Sequence, residues 1–209
     1  MTLTEQKFSE GMSIVEYIDQ IKINKQPFQD IFDNAEIPAE ALAYFSHLPE
    51  QMNLAVFTAD WCGDALSATP SILNMAEKSG KFNIKIFNRD DELELTNSFL
   101  PENRAGTVPV FVVYDSSMNE VARFIETASA LVPDIDAMDG NIDKELAAEN
   151  VENPDRARRS RRTPYRVARA GEWSKVIVAE FHRVVDDGMT RDSDQRPAIG
   201  GTKWPPEEE

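Results

Sequence analysis

The residues with the clearest chemical potential lie together in the segment Asp60-Trp61-Cys62-Gly63-Asp64-Ala65. An apolar run typical of a strand ends there and a helical pattern begins, so Cys62 is predicted at a helix N-terminus. Unpaired backbone N–H groups and the positive end of the helix dipole favour a thiolate at such a position. Gly63 leaves room for another chain to approach the sulfur, and Trp61 is expected to cover one side of it. The segment therefore indicates a cysteine whose thiolate is favoured and accessible.

Other residues restrict that chemistry. Asp60 and Asp64 place negative charge near the sulfur, which disfavours its ionisation. Cys62 is the only cysteine, so an intramolecular disulfide and a multi-cysteine zinc site are excluded. The acidic stretch from Asp134 to Glu145 departs from a calcium loop, because Asp139 stands where glycine is required. We expect an acidic solvated loop there and no metal site.

The elements that must position Cys62 follow from hydrophobic periodicity. Four short segments rich in β-forming residues are predicted as strands: 53–59, 82–86, 108–114 and 120–125. Helical periodicity follows the cysteine and closes at Ser79-Gly80. The order strand, helix, strand, helix and hairpin predicts an α/β sandwich of few strands.

Further helices are predicted on both sides of these strands. Three precede them, at residues 9–22, 28–32 and 38–48, and a long amphipathic helix carries Trp173 to Val185 and ends before Gly188. From Met189 the composition is polar and rich in proline and glycine, which predicts a disordered tail. The predicted organisation is a helical extension (1–37), an α/β core (38–130), a C-terminal helical region packed on the core (131–188) and the tail (189–209).

The cysteine segment resembles the active site of the thioredoxin superfamily, which reads Trp-Cys-Gly-Pro-Cys or Trp-Cys-Gly-Asp-Cys. Thioredoxins also place a proline eight residues after the first cysteine, here Pro70, and an apolar residue followed by a cis proline before the third core strand, here Val108-Pro109. The helical additions resemble a bacterial thioredoxin-like subfamily with a Trp-Cys-Gly-Asp signature.

The resemblance covers roughly residues 38–130. It implies a thioredoxin-like fold, with a central mixed sheet of four to five strands flanked by helices, an N-terminal helical extension and a long C-terminal helix. It also implies that Val108 and Pro109 lie against Cys62 and offer backbone groups to an extended substrate.

Three departures from the family pattern bear on mechanism. Ala65 replaces the second active-site cysteine, and Val56 replaces the buried acid that helps to deprotonate it. The segment from Phe124 to Thr127 stands where thioredoxins carry a glycine that lines the substrate groove. Without a resolving cysteine, the two-cysteine thioredoxin mechanism is excluded.

Two functions remain open. In the first, Cys62 exchanges with protein or small-molecule disulfides or is reversibly glutathionylated; glutathione is then a co-substrate and no bound cofactor is expected. Trp61, Gly63, Val108 and Pro109 would shape its surroundings and Asp64 would tune it. In the second, a redox-inactive module holds a partner peptide in the groove at Val108-Pro109. An iron–sulfur role like that of monothiol glutaredoxins is disfavoured, since Cys-Gly-Asp-Ala shares only two positions with their motif.

Charge and composition narrow the partners. The net charge is −15, and residues 1–154 alone carry 27 acidic and 10 basic residues. Such a body repels phosphate backbones, which argues against nucleic acid binding over most of the surface. The exception is a cluster of arginines at 156, 158, 159, 161, 162, 166 and 169. One interpretation is contact with nucleic acid or an acidic partner; the favoured one is a solvated helix face that balances the acidic body. With no apolar run of membrane length and no secretory signal, we expect a cytoplasmic protein. The sequence leaves the oligomeric state open.

Overall fold

The computed structural model describes residues 3–149 and 151–202. Its centre is a mixed sheet of five strands in the order β2-β1-β3-β4-β5. The strands are β1 (Met52–Thr58), β2 (Phe82–Asn88), β3 (Val110–Tyr114), β4 (Glu120–Ile125) and β5 (Ala198–Gly201). β1 pairs with β2 in parallel and with β3 antiparallel, β3 and β4 form an antiparallel hairpin, and β5 runs parallel to β4. This arrangement confirms the predicted α/β class and mixed sheet.

Helices cover both faces of the sheet. Within the described ranges the α-helices are α1 (Glu5–Ser9), α2 (Ile14–Gln20), α3 (Lys25–Asn34), α4 (Ala39–Ser46), α5 (Gly63–Ser79), α6 (Leu93–Asn97), α7 (Val132–Glu149), α8 (Pro154–Ala168) and α9 (Ala170–Thr190). Single 3-10 turns occur at Glu102–Arg104, Ser129–Leu131 and Ser193–Gln195. None of these helices is long and apolar enough to cross a membrane. Four α-helices, rather than the predicted three, precede β1 in the described part of the chain.

β1 is buried on both faces, which explains its nearly continuous apolar sequence. Leu54 and Val56 belong to the larger core cluster, shared with helices α3, α4, α5 and α9. Ala55 and Phe57 belong to a smaller cluster on the opposite face, with residues of α1 and α6. All four side chains are fully buried. Cys62 therefore follows, by four residues, a strand that is buried on both faces.

The helix that follows Cys62 has clear local signals. Gly80 ends α5 in the left-handed conformation (φ 65°), which a glycine adopts without steric cost. Pro70 lies inside α5 and is buried. Both features agree with the sequence prediction of a helix that begins after Cys62 and closes at Ser79-Gly80.

The predicted disordered tail is wrong for residues 189–202. α9 continues through Gly188 to Thr190, and residues 198–201 form β5 against β4. Gly201 adopts φ 104°, and a side chain there would collide with the carbonyl oxygen of Ile125. The glycines that suggested a disordered tail instead allow this edge strand to approach β4 closely. Residues 203–209 of the predicted tail lie outside the described ranges.

The acidic loop expected between Asp134 and Glu145 is also wrong, because this stretch lies within helix α7. Met138, Ile142 and Leu146 are its buried residues, at four-residue spacing. The acidic side chains between them concealed this apolar stripe, which is weak but regular. The long C-terminal helix, in contrast, was predicted correctly: Trp173, Ile177, Phe181, Val184 and Val185 of α9 are buried in the larger core.

Candidate functional site

Cys62 is the N-cap residue of α5 and has extended backbone angles, as the sequence predicts for a cysteine at a strand-to-helix junction. Its side chain is partly buried. The thiol donates a long hydrogen bond to the backbone carbonyl of Val108 at 3.5 Å. The backbone N–H groups of Asp64 and Ala65 approach the sulfur from the helix side. The sulfur thus lies between the first turn of α5 and the loop that leads into β3.

Burial raises the pKa of the Cys62 thiol above its usual value, and the negative charge of Asp64 raises it further. Hydrogen bonds from the backbone N–H groups of Ala65 and Asp64 lower that pKa, and so does the positive charge of Arg166. The helix N-terminus acts in the predicted direction, but burial outweighs it. Cys62 is therefore mainly a protonated thiol at neutral pH.

The two residues before Cys62 have distinct roles. The carboxylate of Asp60 accepts hydrogen bonds from the backbone N–H groups of Lys22 and Ile23, at 2.9 and 3.0 Å. Asp60 thereby holds the connection between α2 and α3 against the cysteine segment. Trp61 is 45% exposed, and its indole Nε1 donates to Asp90 at 2.9 Å. Trp61 thus forms an exposed apolar rim next to the sulfur.

The structure brings the pair Val108 and Pro109 to the sulfur but leaves little of it accessible. Their peptide bond is cis, and both residues are buried. The carbonyl of Val108 accepts from the Cys62 thiol, and the carbonyl of Pro109 accepts from the backbone N–H of Glu126 at 2.7 Å. Both carbonyls of the predicted substrate groove therefore have partners within the chain. Ala65, at the position of the missing cysteine, is 2% exposed.

Cys62 opens instead onto a cleft between the N-terminus of α5 and helix α8, with a volume of about 500 Å³. Its lining residues are Ile23, Asn24, Trp61, Cys62, Gly63, Arg159, Ser160, Arg162, Thr163 and Arg166. Three of them are arginines of α8, and none is acidic. No cluster of three or more His, Cys, Asp or Glu side chains that could hold a metal occurs within the described ranges.

Arg166 joins α8 to the cysteine segment. It is 4% exposed, and its guanidinium donates to Asp64 Oδ1 at 3.0 Å and to Ser67 Oγ at 2.9 Å. A Cβ atom at Gly63 would lie 3.3 Å from Arg166 Nε and Nη2. Gly63 therefore makes room for a buried guanidinium, a role that the sequence did not indicate. The guanidinium carbon of Arg166 also lies 5.5 Å from the centroid of the Trp173 ring.

The arginines of α8 other than Arg156 divide into two sets. Arg158, Arg161 and Arg162 form ion pairs with acidic residues of α7: Asp143, Glu145, Glu149 and Asp139. The interpretation as a face that balances negative charge therefore fits these three. It misses Arg159 and Arg166, which face the cleft. A signal was present, since positions 159, 162 and 166 fall on one face of a helix.

Known proteins resemble this chain in sequence family and in fold. A family model described as Thioredoxin matches residues 11–137. Among curated proteins, none matches the sequence. Two solved structures are similar in fold, each with a TM-score of 0.53. One is a protein of unknown function from Pseudomonas aeruginosa, 14% identical, with 77% of this chain and 92% of that one covered. The other is an HIV epitope scaffold, 15% identical, with 60% and 78% covered.

Proposed function

Because the chain belongs to the thioredoxin family, whose model matches more than half of its length, we propose that it performs monothiol thiol–disulfide exchange at Cys62. The observation that carries the proposal is the position of its only cysteine. Cys62 caps the N-terminus of a buried 17-residue helix and borders a cleft of about 500 Å³. Ala65 occupies the position of a resolving cysteine, so exchange must use an external thiol.

The exchange has two steps. The Cys62 thiol loses its proton to water, and the thiolate attacks one sulfur of a disulfide RSSR. A Cys62–S–S–R bond forms, the substrate S–S bond breaks, and RS⁻ leaves. A second thiolate, from glutathione or another small thiol, then attacks the mixed disulfide at the R sulfur and releases Cys62 as a thiolate. The N–H groups of Asp64 and Ala65 stabilise that thiolate in both steps.

The raised pKa of Cys62 determines the pH at which the exchange becomes fast. Since only the thiolate attacks, the rate is low at neutral pH and rises about tenfold per pH unit until the thiol is ionised. A reducing compartment such as the cytoplasm would supply the second thiol. The proposal therefore describes a slow monothiol protein of cellular redox homeostasis.

One observation favours the alternative of a redox-inactive binding module, namely the same raised pKa of Cys62. The contacts of the groove at Val108-Pro109 argue against this binding module. Val108 and Pro109 are buried, and their carbonyls have partners within the chain. A partner peptide would have to displace those contacts first, so the monothiol route is the better supported of the two.

The test is the pH dependence of Cys62 alkylation by iodoacetamide, read by intact mass. We expect the rate to keep rising through pH ~8.5, the ordinary pKa of a thiol. Asp64→Asn removes the negative charge next to the sulfur and leaves the cation of Arg166 in place. This lowers the pKa of Cys62, so alkylation at pH 7 should be faster by about three- to tenfold, one pKa unit being tenfold in thiolate.

The exchange itself is measured with glutathione disulfide above pH 8. The wild-type chain should gain one glutathione adduct that reduced glutathione removes, and Cys62→Ser should gain none. Alkylation of the folded protein without any adduct at any pH would refute the exchange proposal. The binding module would then be the better interpretation, and Cys62→Ser should retain partner binding.

A further inference from the structure

The cleft beside Cys62 has the opposite charge to the rest of the protein. The whole chain carries −15, yet the residues that line the cleft include three arginines and no acid. Two of these cations have counterions, Asp64 for Arg166 and Asp139 for Arg162. Arg159 is exposed and forms no ion pair or hydrogen bond with the rest of the described chain. One positive charge therefore remains available in the cleft.

A second observation concerns the buried wall of the cleft. Arg166 is 4% exposed, and its Nε has no hydrogen-bond partner in the part of the chain that the structure describes. Buried N–H donors almost always have an acceptor. This Nε lies beside Gly63, and both residues line the cleft. The wall is thus short of acceptors rather than donors, which favours a ligand that brings negative charge.

The volume of the cleft and the residues at its rim indicate the size and the uncharged part of the ligand. A volume of about 500 Å³ is that of a small-molecule site rather than a seat for a folded partner. Trp61 and Ile23 are 45% and 51% exposed and provide apolar contact next to the sulfur. Ser160 and Thr163 add hydroxyl groups on the α8 side. A compact ligand with a short apolar body and an anionic end fits this lining.

We propose that the substrate of Cys62 is a low-molecular-weight disulfide that bears carboxylates, and that Arg159 binds one carboxylate while the disulfide sulfur meets Cys62. This inference rests on the proposed monothiol function and adds its substrate class. The planar guanidinium of Arg159 pairs with a carboxylate through two parallel hydrogen bonds. In the exchange step Cys62–S⁻ displaces one half of the disulfide as a thiolate, and the half that stays bound retains its contact with Arg159.

The experiment compares three symmetric disulfides as substrates of the full chain. Glutathione disulfide is anionic, 2-hydroxyethyl disulfide is neutral and cystamine is cationic. The rate of mixed-disulfide formation at Cys62 is followed by intact mass at one pH, and each rate is divided by the rate at which 2-mercaptoethanol thiolate, which carries no other charge, attacks the same disulfide. This normalisation removes the intrinsic reactivity of each disulfide. We expect a preference for the anionic over the cationic disulfide of about tenfold or more, which 0.5 M salt reduces.

The variant Arg159→Glu tests the assigned residue, and Arg156→Glu is its matched control. Both replace an exposed arginine of α8 by glutamate, but residue 156 does not line the cleft. Arg159→Glu should reverse the order of glutathione disulfide and cystamine. Arg156→Glu should change their ratio by less than about twofold, since exposed charges at longer range are screened.

Each result has a defined meaning. Equal normalised rates with all three disulfides, or an Arg159→Glu variant that slows all three alike, would overturn the substrate assignment and leave monothiol exchange standing. Failure of Cys62 to form a mixed disulfide with any of them would refute the proposed function itself. Equal shifts in ratio for Arg156→Glu and Arg159→Glu would assign the preference to the general charge of α8 and overturn the role of Arg159.

Discussion

The two walls of the Cys62 cleft are built in different ways. On one side, 13 of the 17 residues of α5 are buried, and the helix packs among the sheet, α3 and α9. On the other side, Arg166 is the only buried residue of the 15 in α8. Tyr165 and Val167 of α8 are partly buried against the larger core, and Arg158, Arg161 and Arg162 form ion pairs with α7.

Because of this difference, α5 positions the sulfur of Cys62, whereas the arginines of α8 select its ligand. Apolar burial is insensitive to salt, so the position of Cys62 is fixed by the core. Exposed ion pairs contribute little each and weaken as salt rises, so the arginine wall is the adjustable side of the cleft. The comparison predicts that variants of α5 affect global stability, whereas variants of α8 affect the cleft.

The largest effect is expected from Leu73→Ala in α5. Leu73 is fully buried, and its truncation should lower the free energy of unfolding by about 2–5 kcal/mol through lost burial and a residual cavity. Urea unfolding measures this as a lower midpoint at unchanged slope. The matched control is Leu93→Ala in α6, which removes the same atoms from a side chain that is 42% exposed and should cost less than about 0.5 kcal/mol. Similar losses for both variants would show that α5 is not the core wall described.

A smaller effect is expected from Arg166→Met, which keeps the aliphatic stem and removes the cation that joins the two walls. The free energy of unfolding should fall by about 1–3 kcal/mol, because the hydrogen bonds to Asp64 and Ser67 are lost. The fall is limited, since the Asp64 side chain is 28% exposed and can be solvated. Loss of this positive charge should also raise the pKa of Cys62 and slow its alkylation at pH 7. Arg156→Met serves as the control; unchanged stability in both variants would contradict the joining role of Arg166.

The smallest effect on global stability is expected from Arg162→Gln, which breaks the pair with Asp139 of α7. The free energy of unfolding should change by less than about 1 kcal/mol. Hydrogen exchange should nevertheless show faster labelling of α8 with α5 unchanged, and 1 M salt should act in the same direction on the wild type. Arg191→Gln, which breaks the pair of Arg191 with Asp187 at the C-terminus of α9, should leave α8 unaffected. Joint loss of protection in α5 and α8 would show one cooperative unit and remove the distinction between the walls.

Much of the fold could be predicted because its signals are local. The apolar run of β1, the helical pattern closed by Gly80 and the alternation in β2 each lie within one short segment. The first part of α7, which was expected to be an acidic loop, and β5 were not predicted, for a physical reason. The apolar stripe of α7 is diluted by acidic residues, and β5 is a four-residue edge strand defined by pairing to β4 rather than by its own sequence.

The sequence alone determined the chemistry that is available to this protein. The chain contains one cysteine, Cys62, at a strand-to-helix junction, and Ala65 stands at the position of a second cysteine. These two facts suffice to exclude the two-cysteine mechanism. Local periodicity also determined that Cys62 begins a helix, since capping and the apolar pattern act over a few residues.

Only the tertiary structure decided how that sulfur behaves. Burial raises the pKa of Cys62, and burial is a sum over segments that are distant in sequence. Arg166 donates a hydrogen bond to Asp64, from which it is separated by 102 positions in the sequence. This contact brings the arginines of α8 to the cleft. Whether an arginine faces solvent, pairs with α7 or lines the site depends on helix packing, which charge patterning along the chain does not specify.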